Sequence, residues 1–256
     1  MVRTAFGQPH DKMGRVKLLI IRHGQSANNL LHATTGSYAG READPLLTEL
    51  GRLQAARLAE AMVVGRQPAP QVLYTSLMSR AVQTAAVIAE TLDIEVHGRL
   101  DAFECGGPYL GMPEDPTPYC GAPASALRAL SDRLVLPAGA DETGWYRGDG
   151  EDDLERAYRG ARVIHDLKQA HLGTNRLVAL VCHEWISQHL VRAALGFHAD
   201  NGVAEPWLSL NNTGTIMIDF EQPVPVTEAT HDGGLVERVL EWHNNTSHLL
   251  PEQITG

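Results

Sequence analysis

The chain has 256 residues, 43% of them hydrophobic and 20% charged, enough to bury a large core without disulfides or metals. Its net charge of -10 and the lack of a basic run argue against nucleic acid as the main partner, because that binding is driven by Lys and Arg neutralising phosphates. No apolar run reaches the roughly 18 residues that span a bilayer, and the first residues lack the apolar core of a signal peptide, so a cytoplasmic protein with no membrane partner is expected.

Residues 1–15 are polar and read as a flexible tail; residues 16–256 read as a single domain with an insertion at about 105–150. The apolar run KLLIIRHG predicts a buried strand that ends at Arg22. A Gly/Ser/Asn/Thr-rich loop follows, and Leu47-Thr48-Glu49 opens a helical pattern whose apolar side is Leu50, Leu53, Ala56, Leu58 and Ala61, with Gly65 ending it. Residues 71–75 predict a second strand, and SLMSRAVQTAAVIAETL a helix with Arg80 in its first turns. The Gly- and Pro-rich stretch 105–150 reads as an excursion over the fold with one short helix near 124–134. Residues 151–171 predict an amphipathic helix, RLVALVC a strand ending at Cys182, and 184–195 a further helix. Two late strands are expected over 215–220 and 235–242, joined by a turn bearing Pro and Gly. Strands alternating with helices predict an α/β fold around a mostly parallel sheet, whose ligands bind beyond the carboxyl ends of the strands.

Two histidines stand at such strand ends. His23 follows the first strand inside Arg22-His23-Gly24-Gln25-Ser26, and His183 follows RLVALVC. A neutral imidazole is a competent nucleophile toward phosphorus, and a covalent intermediate splits one hard displacement into two easier ones. Arg22 can clamp phosphoryl oxygens with a planar fork that Lys cannot copy, and Asn29 can add a neutral donor. Arg80, just after a strand-to-loop switch, offers a second cation, which fits a reaction catalysed by positioning and charge stabilisation. The leaving oxygen needs a proton, for which Glu104 is the candidate and Asp101 its rival. His183-Glu184-Trp185-Ile186-Ser187 lacks the second His at 187 that a zinc metalloprotease needs, so that reading is rejected. Cys105, Cys120 and Cys182 are odd in number and form no C-x-x-C pair, which predicts reduced thiols rather than disulfides or a zinc site.

Arg22-His23-Gly24, the Ser76 to Thr84 segment carrying Arg80, and His183 after an apolar strand together resemble the histidine phosphatase superfamily, also called phosphoglycerate mutase-like. The similarity runs from about residue 17 to 220, and Asp44 to Gly51 is similar to the stretch opening the family's first helix. The resemblance implies a three-layer α/β sandwich and a phosphohistidine intermediate on His23. It implies a phosphate pocket of Arg22, Arg80 and His183, lined by Asn29, Thr35 and Gly36, with no metal and no cofactor. The partner it implies is a small phosphoester; the oligomeric state stays open, a homodimer included.

Three positions depart from the family pattern. Glu184 and the bulky Trp185 follow the second histidine where Gly is common, bringing charge and volume to the pocket and making Glu184 a substrate-binding candidate. Ala102 stands where a Glu two residues after a Leu is frequent, which leaves Glu104 as the nearest Glu. Gln25 replaces a common Glu. Gly36-Ser37-Tyr38-Ala39 and Cys105-Gly106-Gly107-Pro108 do not follow the glycolytic mutases, so a phosphomonoesterase acting on a small metabolite is expected. The alternatives are a mutase-type phosphotransferase and a phosphate-binding member of the fold without turnover.

Overall fold

The computed structural model describes residues 16–112, 114–148, 150–197, 207–220 and 238–256. In chain order these form β1 (Val16–Arg22), α1 (Ala27–Thr35), α2 (Glu49–Val63), β2 (Val72–Ser76), α3 (Ser79–Leu92) and β3 (Val96–Arg99). Next come a hairpin of β4 (Tyr109–Met112) and β5 (Asp115–Pro118), then α4 (Ala124–Leu130), β6 (Leu134–Val135) and α5 (Asp153–His171). The chain continues through β7 (Leu177–Cys182), α6 (Glu184–Leu195), β8 (Thr215–Phe220) and β9 (Arg238–Asn245) to a final 3-10 turn at Pro251–Gln253.

Seven strands make one sheet in the order β6-β3-β2-β7-β1-β8-β9. The first five run parallel, while β8 joins β1 and β9 joins β8 antiparallel. The sheet is mostly parallel and flanked by helices, the expected α/β architecture. Successive side chains of β1 point to opposite faces. Leu19 and Ile21 pack with Leu58 and Met62 of α2, Val82 and Ile88 of α3, and Leu127 of α4. Leu18 and Ile20 pack with Val163 and Leu167 of α5 and with Ile186 and Leu190 of α6. Both faces are covered, which is why β1 and β7 read as continuous apolar runs rather than alternating ones.

Several local expectations change. Residues 27–35, read as loop, form α1. None of its residues is buried; it is held by a capping box in which Ser26 Oγ accepts from the Asn29 N–H and Asn29 Oδ1 from the Ser26 N–H. β3 was not foreseen, since Val96 is its one buried apolar residue. In α2, Leu53 is exposed and the buried side is Gly51, Gln54, Ala55, Leu58, Ala59, Ala61 and Met62. The helix turns a small and a polar position inward because its first turns abut the His23 loop. The 105–150 stretch is not wholly an excursion: β6 extends the central sheet beside β3, and Trp145 and Tyr146 pack in the core against Phe103. The tail 1–15 and the turn between the last two strands lie outside the described residues. Among the described residues no helix is long and apolar enough to cross a membrane.

Candidate active site

β1 and β7 are neighbours in register, with Arg22 opposite Cys182, so the residues just past both strands meet. The His23 N–H donates to the Cys182 carbonyl at 3.0 Å, and the His23 and His183 rings stand edge to face with centroids 5.1 Å apart. β2, on the other side of β7, ends at Ser76, and the first turn of α3 then carries Arg80. Three adjacent strand ends thus deliver Arg22, His23, His183 and Arg80 to one place, the crevice where an open α/β sheet binds ligands.

The partners of His23 set its tautomer. Nδ1 lies 2.7 Å from the Gly24 carbonyl oxygen, which can only accept, so Nδ1 carries the proton. Nε2 accepts from Arg80 Nε at 3.0 Å, and a guanidinium can only donate, so Nε2 holds a lone pair. Burial holds the His23 pKa well below the usual 6.5, and the Arg80 and Arg22 charges push it the same way. His183 is held down likewise, by burial first and then by Arg80. Its Nε2 shares a 2.9 Å hydrogen bond with Ser76 Oγ, while its buried Nδ1 has no partner.

The two arginines are buried, which lowers both pKa values while nearby carboxylates raise them. Arg22 Nη1 donates to the Leu210 carbonyl and sits 2.9 Å from Glu184 Oε2; its buried Nε has no partner. Arg80 faces the field of Asp44 and Glu104. Asp44 caps α3, with Oδ1 accepting from the Ser79 N–H at 2.9 Å and Oδ2 from Ser79 Oγ at 2.7 Å, and burial pushes its pKa up. Burial also pushes the Cys105 thiol up to about 12 and Cys182 in the same direction, so neither supplies a thiolate nucleophile.

A second set of polar groups holds the His23 loop. Asn212 Nδ2 donates to the His23 carbonyl at 3.0 Å, and the Gly24 N–H donates to Thr84 Oγ1 at 3.0 Å. The Gln25 N–H donates to Gln54 Oε1 at 2.8 Å, and Gln54 Nε2 donates to the Gln253 carbonyl and to Thr255 Oγ1. The loop crosses the start of α2 so closely that a Cβ on Gly24 would collide with the Gly51 carbonyl, and one on Gly51 with the Gln25 carbonyl. Asn212 and Gln54 were not foreseen. Asn212 offered only a polar loop position, and the long-range bonds of Gln54 leave no trace in local sequence.

The other candidates fall in different places. Asn29 turns its carbonyl oxygen to Ser26 and to Asn212 Nδ2, which leaves its NH₂ as the end able to donate to a ligand. Thr35 and Gly36 lie at the exposed C-terminal end of α1, where Thr35 Oγ1 donates to the Leu31 carbonyl and Gly36 caps the helix, without a hydrogen bond to the histidine cluster. Glu104 reaches the start of α6: Oε1 accepts from the Cys105 and Ile186 N–H groups and Oε2 from the Trp185 N–H. Asp101 is held by the fork of Arg99, at 2.9 Å to each oxygen. A cavity of about 730 Å³ along α5, lined by Glu151, Tyr158, Arg159 and His165 among others, contains none of the four site residues and is set aside as the reaction centre.

The model of the histidine phosphatase superfamily (branch 1) matches residues 18–232. A glucosyl-3-phosphoglycerate phosphatase of Mycolicibacterium vanbaalenii is 28% identical over 192 residues, 72% of this chain and 76% of that protein. Phosphoglycerate mutase 1 of Saccharomyces cerevisiae is 40% identical, but over 77 residues only, 30% of this chain and 29% of the mutase. A phosphoserine phosphatase mutant from Entamoeba histolytica, solved in complex with phosphoserine, shares the fold at a TM-score of 0.55 and 23% identity, covering 92% of this chain and 100% of that one. With arginine, histidine, arginine and histidine converging at three strand ends and a family match over most of its length, this chain belongs to the histidine phosphatase superfamily, branch 1.

Proposed function

We propose that the protein is a phosphomonoesterase that hydrolyses a small phosphorylated metabolite through a phosphohistidine on His23. The observation that carries this reading is the pinned tautomer: Nδ1–H on the Gly24 carbonyl and the Nε2 lone pair held beside Arg80. The imidazole is kept neutral by burial and by two cations, and a neutral imidazole is what in-line attack on phosphorus requires. Arg22 and Arg80 supply the positive field for the transferring phosphoryl oxygens, and the unpaired Nδ1 of His183 is a buried ring nitrogen that a phosphoryl oxygen would satisfy. Asn29 adds a neutral donor. The charge compensation is drawn from arginine and histidine, so turnover requires no divalent ion.

The Mycolicibacterium relative and the Entamoeba structure, which align over most of the chain, bear phosphatase names, which favours water as acceptor and a small phosphoester as substrate. We place the enzyme in the cytoplasm, on an acidic chain whose three cysteines are unpaired. Release of p-nitrophenol from p-nitrophenyl phosphate in the presence of EDTA tests the proposal. Wild type should turn over, and His23→Ala should lose at least about 10³-fold, since a nucleophile is removed. Equal rates in the two proteins, or activity that EDTA abolishes and a divalent ion restores, would refute it. The 40% identity to a mutase over 77 residues favours a second reading, phosphoryl transfer between hydroxyls. Isomerisation of 3-phosphoglycerate in the presence of its bisphosphate primer would establish it.

A further inference from the structure

Cleaving an alkyl phosphate needs a proton for the leaving oxygen, because an alkoxide is a poor leaving group. Three carboxyl groups lie in the electrostatic reach of the two phosphate-site arginines: Glu184 and Glu104 on Arg22, Asp44 and Glu104 on Arg80. Asp101 is the further acid that the sequence offers. In three of these four, both oxygens are held by donors that a substrate leaves in place. Asp44 caps α3 through the Ser79 N–H and Oγ. Glu104 caps α6 through the Trp185 and Ile186 N–H groups and also accepts from Cys105. Asp101 is forked by Arg99. With both oxygens of each already accepting hydrogen bonds from the protein, these three side chains have no oxygen turned free toward a leaving group.

Glu184 differs. It is the first residue of α6, directly after His183, its side chain is 20% exposed, and its ion-pair partner is Arg22 at 2.9 Å. That partner is the cation expected to receive the phosphoryl oxygens. A phosphate monoester bound by Arg22 would compete with Glu184 for that guanidinium and bring the ester group beside the carboxylate. Glu184 is the carboxylate whose oxygens such a substrate would free, whereas the donors on Asp44, Glu104 and Asp101 belong to the protein frame and stay where they are.

From this geometry, and resting on the phosphohistidine reading above, we infer that Glu184 is the general acid and base of the reaction. The proton arrives with the ester: a phosphate group with its second pKa near 6 binds in part as the monoanion and passes its proton to the Glu184 carboxylate. The His23 Nε2 lone pair then forms the N–P bond. The P–O ester bond breaks toward the leaving oxygen, which takes the Glu184 proton and departs as the alcohol. In the second half, Glu184 accepts a proton from water as its oxygen attacks phosphorus. The P–N bond breaks, its electron pair returns to Nε2, and Glu184 passes its proton to the departing phosphate, which restores the carboxylate. His23 Nδ1–H stays on the Gly24 carbonyl throughout, so each half-reaction balances.

The test is the rate of phosphoenzyme formation, measured by rapid quench with two esters: p-nitrophenyl phosphate, whose phenolate leaves without a proton, and an alkyl phosphate, whose alkoxide does not. In Glu184→Gln, formation from the alkyl ester should fall by about 10²–10⁴-fold, the usual contribution of general acid catalysis, and formation from the aryl ester far less. Glu184→Asp should recover part of the loss. An unchanged ratio between the two esters would overturn the assignment. So would faster turnover of both, which would make Glu184 a mere competitor for Arg22. A leaving-group-dependent loss in Glu104→Gln instead would assign the proton there. Failure of the phosphohistidine reading is distinguishable, because wild type would then form no phosphoenzyme from either ester.

Discussion

His23, His183 and His248 are buried side chains whose pKa values are depressed for the same first reason, loss of water around the charged form. His248, with Nε2 3.0 Å from Thr213 Oγ1, is pushed down to about 4 by burial and then by Arg66, while the two site histidines lie well below 6.5. Below pH 6.5 the unfolded chain therefore binds more protons at these positions than the folded one, and stability rises with pH in that window. It is flat above 6.5 and is lost as pH falls toward the folded values, for His248 between about 6.5 and about 4. Asp44, raised from 3.8 by burial, acts with the opposite sign over the window just above 3.8, one group against these three histidines and against His171, His189 and His243, which burial lowers as well. The melting temperature should hence drop between pH 7 and pH 5. A melting temperature that is constant or higher at pH 5 would contradict the buried neutral histidines.

At the scale of elements, the site is made where the His23 loop is pressed against the start of α2. The Thr48 N–H donates to the Gln25 carbonyl, the Gln25 N–H to Gln54, and Gly24 and Gly51 let the two backbones cross. Gly51→Ala should force the Gln25 peptide away from its place. The expected cost is about 1–3 kcal/mol, the range for overpacking a close contact, together with a lower kcat because the displaced peptide is two residues from His23, the proposed nucleophile. Thermal melts and steady-state kinetics check both. A variant with wild-type melting temperature and kcat would show that the crossing tolerates a methyl group.

The same element explains what local sequence could and could not convey. Arg22, His23 and His183 were legible because each follows a short run that is apolar on both faces, and such a run has few readings other than a central parallel strand. Arg80 was legible because the helical pattern of α3 starts directly after β2. The inward face of α2 was not, because Gly51 and Gln54 face inward for the sake of a crossing chain and not for hydrophobic burial. α1 buries nothing and so carries no apolar period; its signal was the Ser26 and Asn29 cap alone. The pairing of Glu184 with Arg22 joins residues 162 positions apart; sequence placed charge near the pocket without naming its partner.

For the whole molecule, the parallel sheet is the device that gathers basic side chains in an acidic chain. Seven strands in the order β6-β3-β2-β7-β1-β8-β9 bring the ends of β2, β7 and β1 side by side, so two arginines and two histidines converge against a net charge of -10. The carboxyl-terminal residues close the same structure from behind, the Asn212 N–H donating to the Thr255 carbonyl and Gln54 to Gln253, so that the end of the chain braces the loop near its beginning. In the proposed reaction all of this serves one chemical event at one atom, phosphoryl transfer to His23 Nε2. The measurement that tests it most directly is acid-free quenching during turnover of p-nitrophenyl phosphate, followed by peptide mapping and ³¹P NMR of the trapped protein. The phosphoryl group should be found on Nε2 of His23, because Nδ1 is committed to the Gly24 carbonyl. A phosphoryl group on any other residue, or continuing turnover with no phosphorylated His23, would contradict the account.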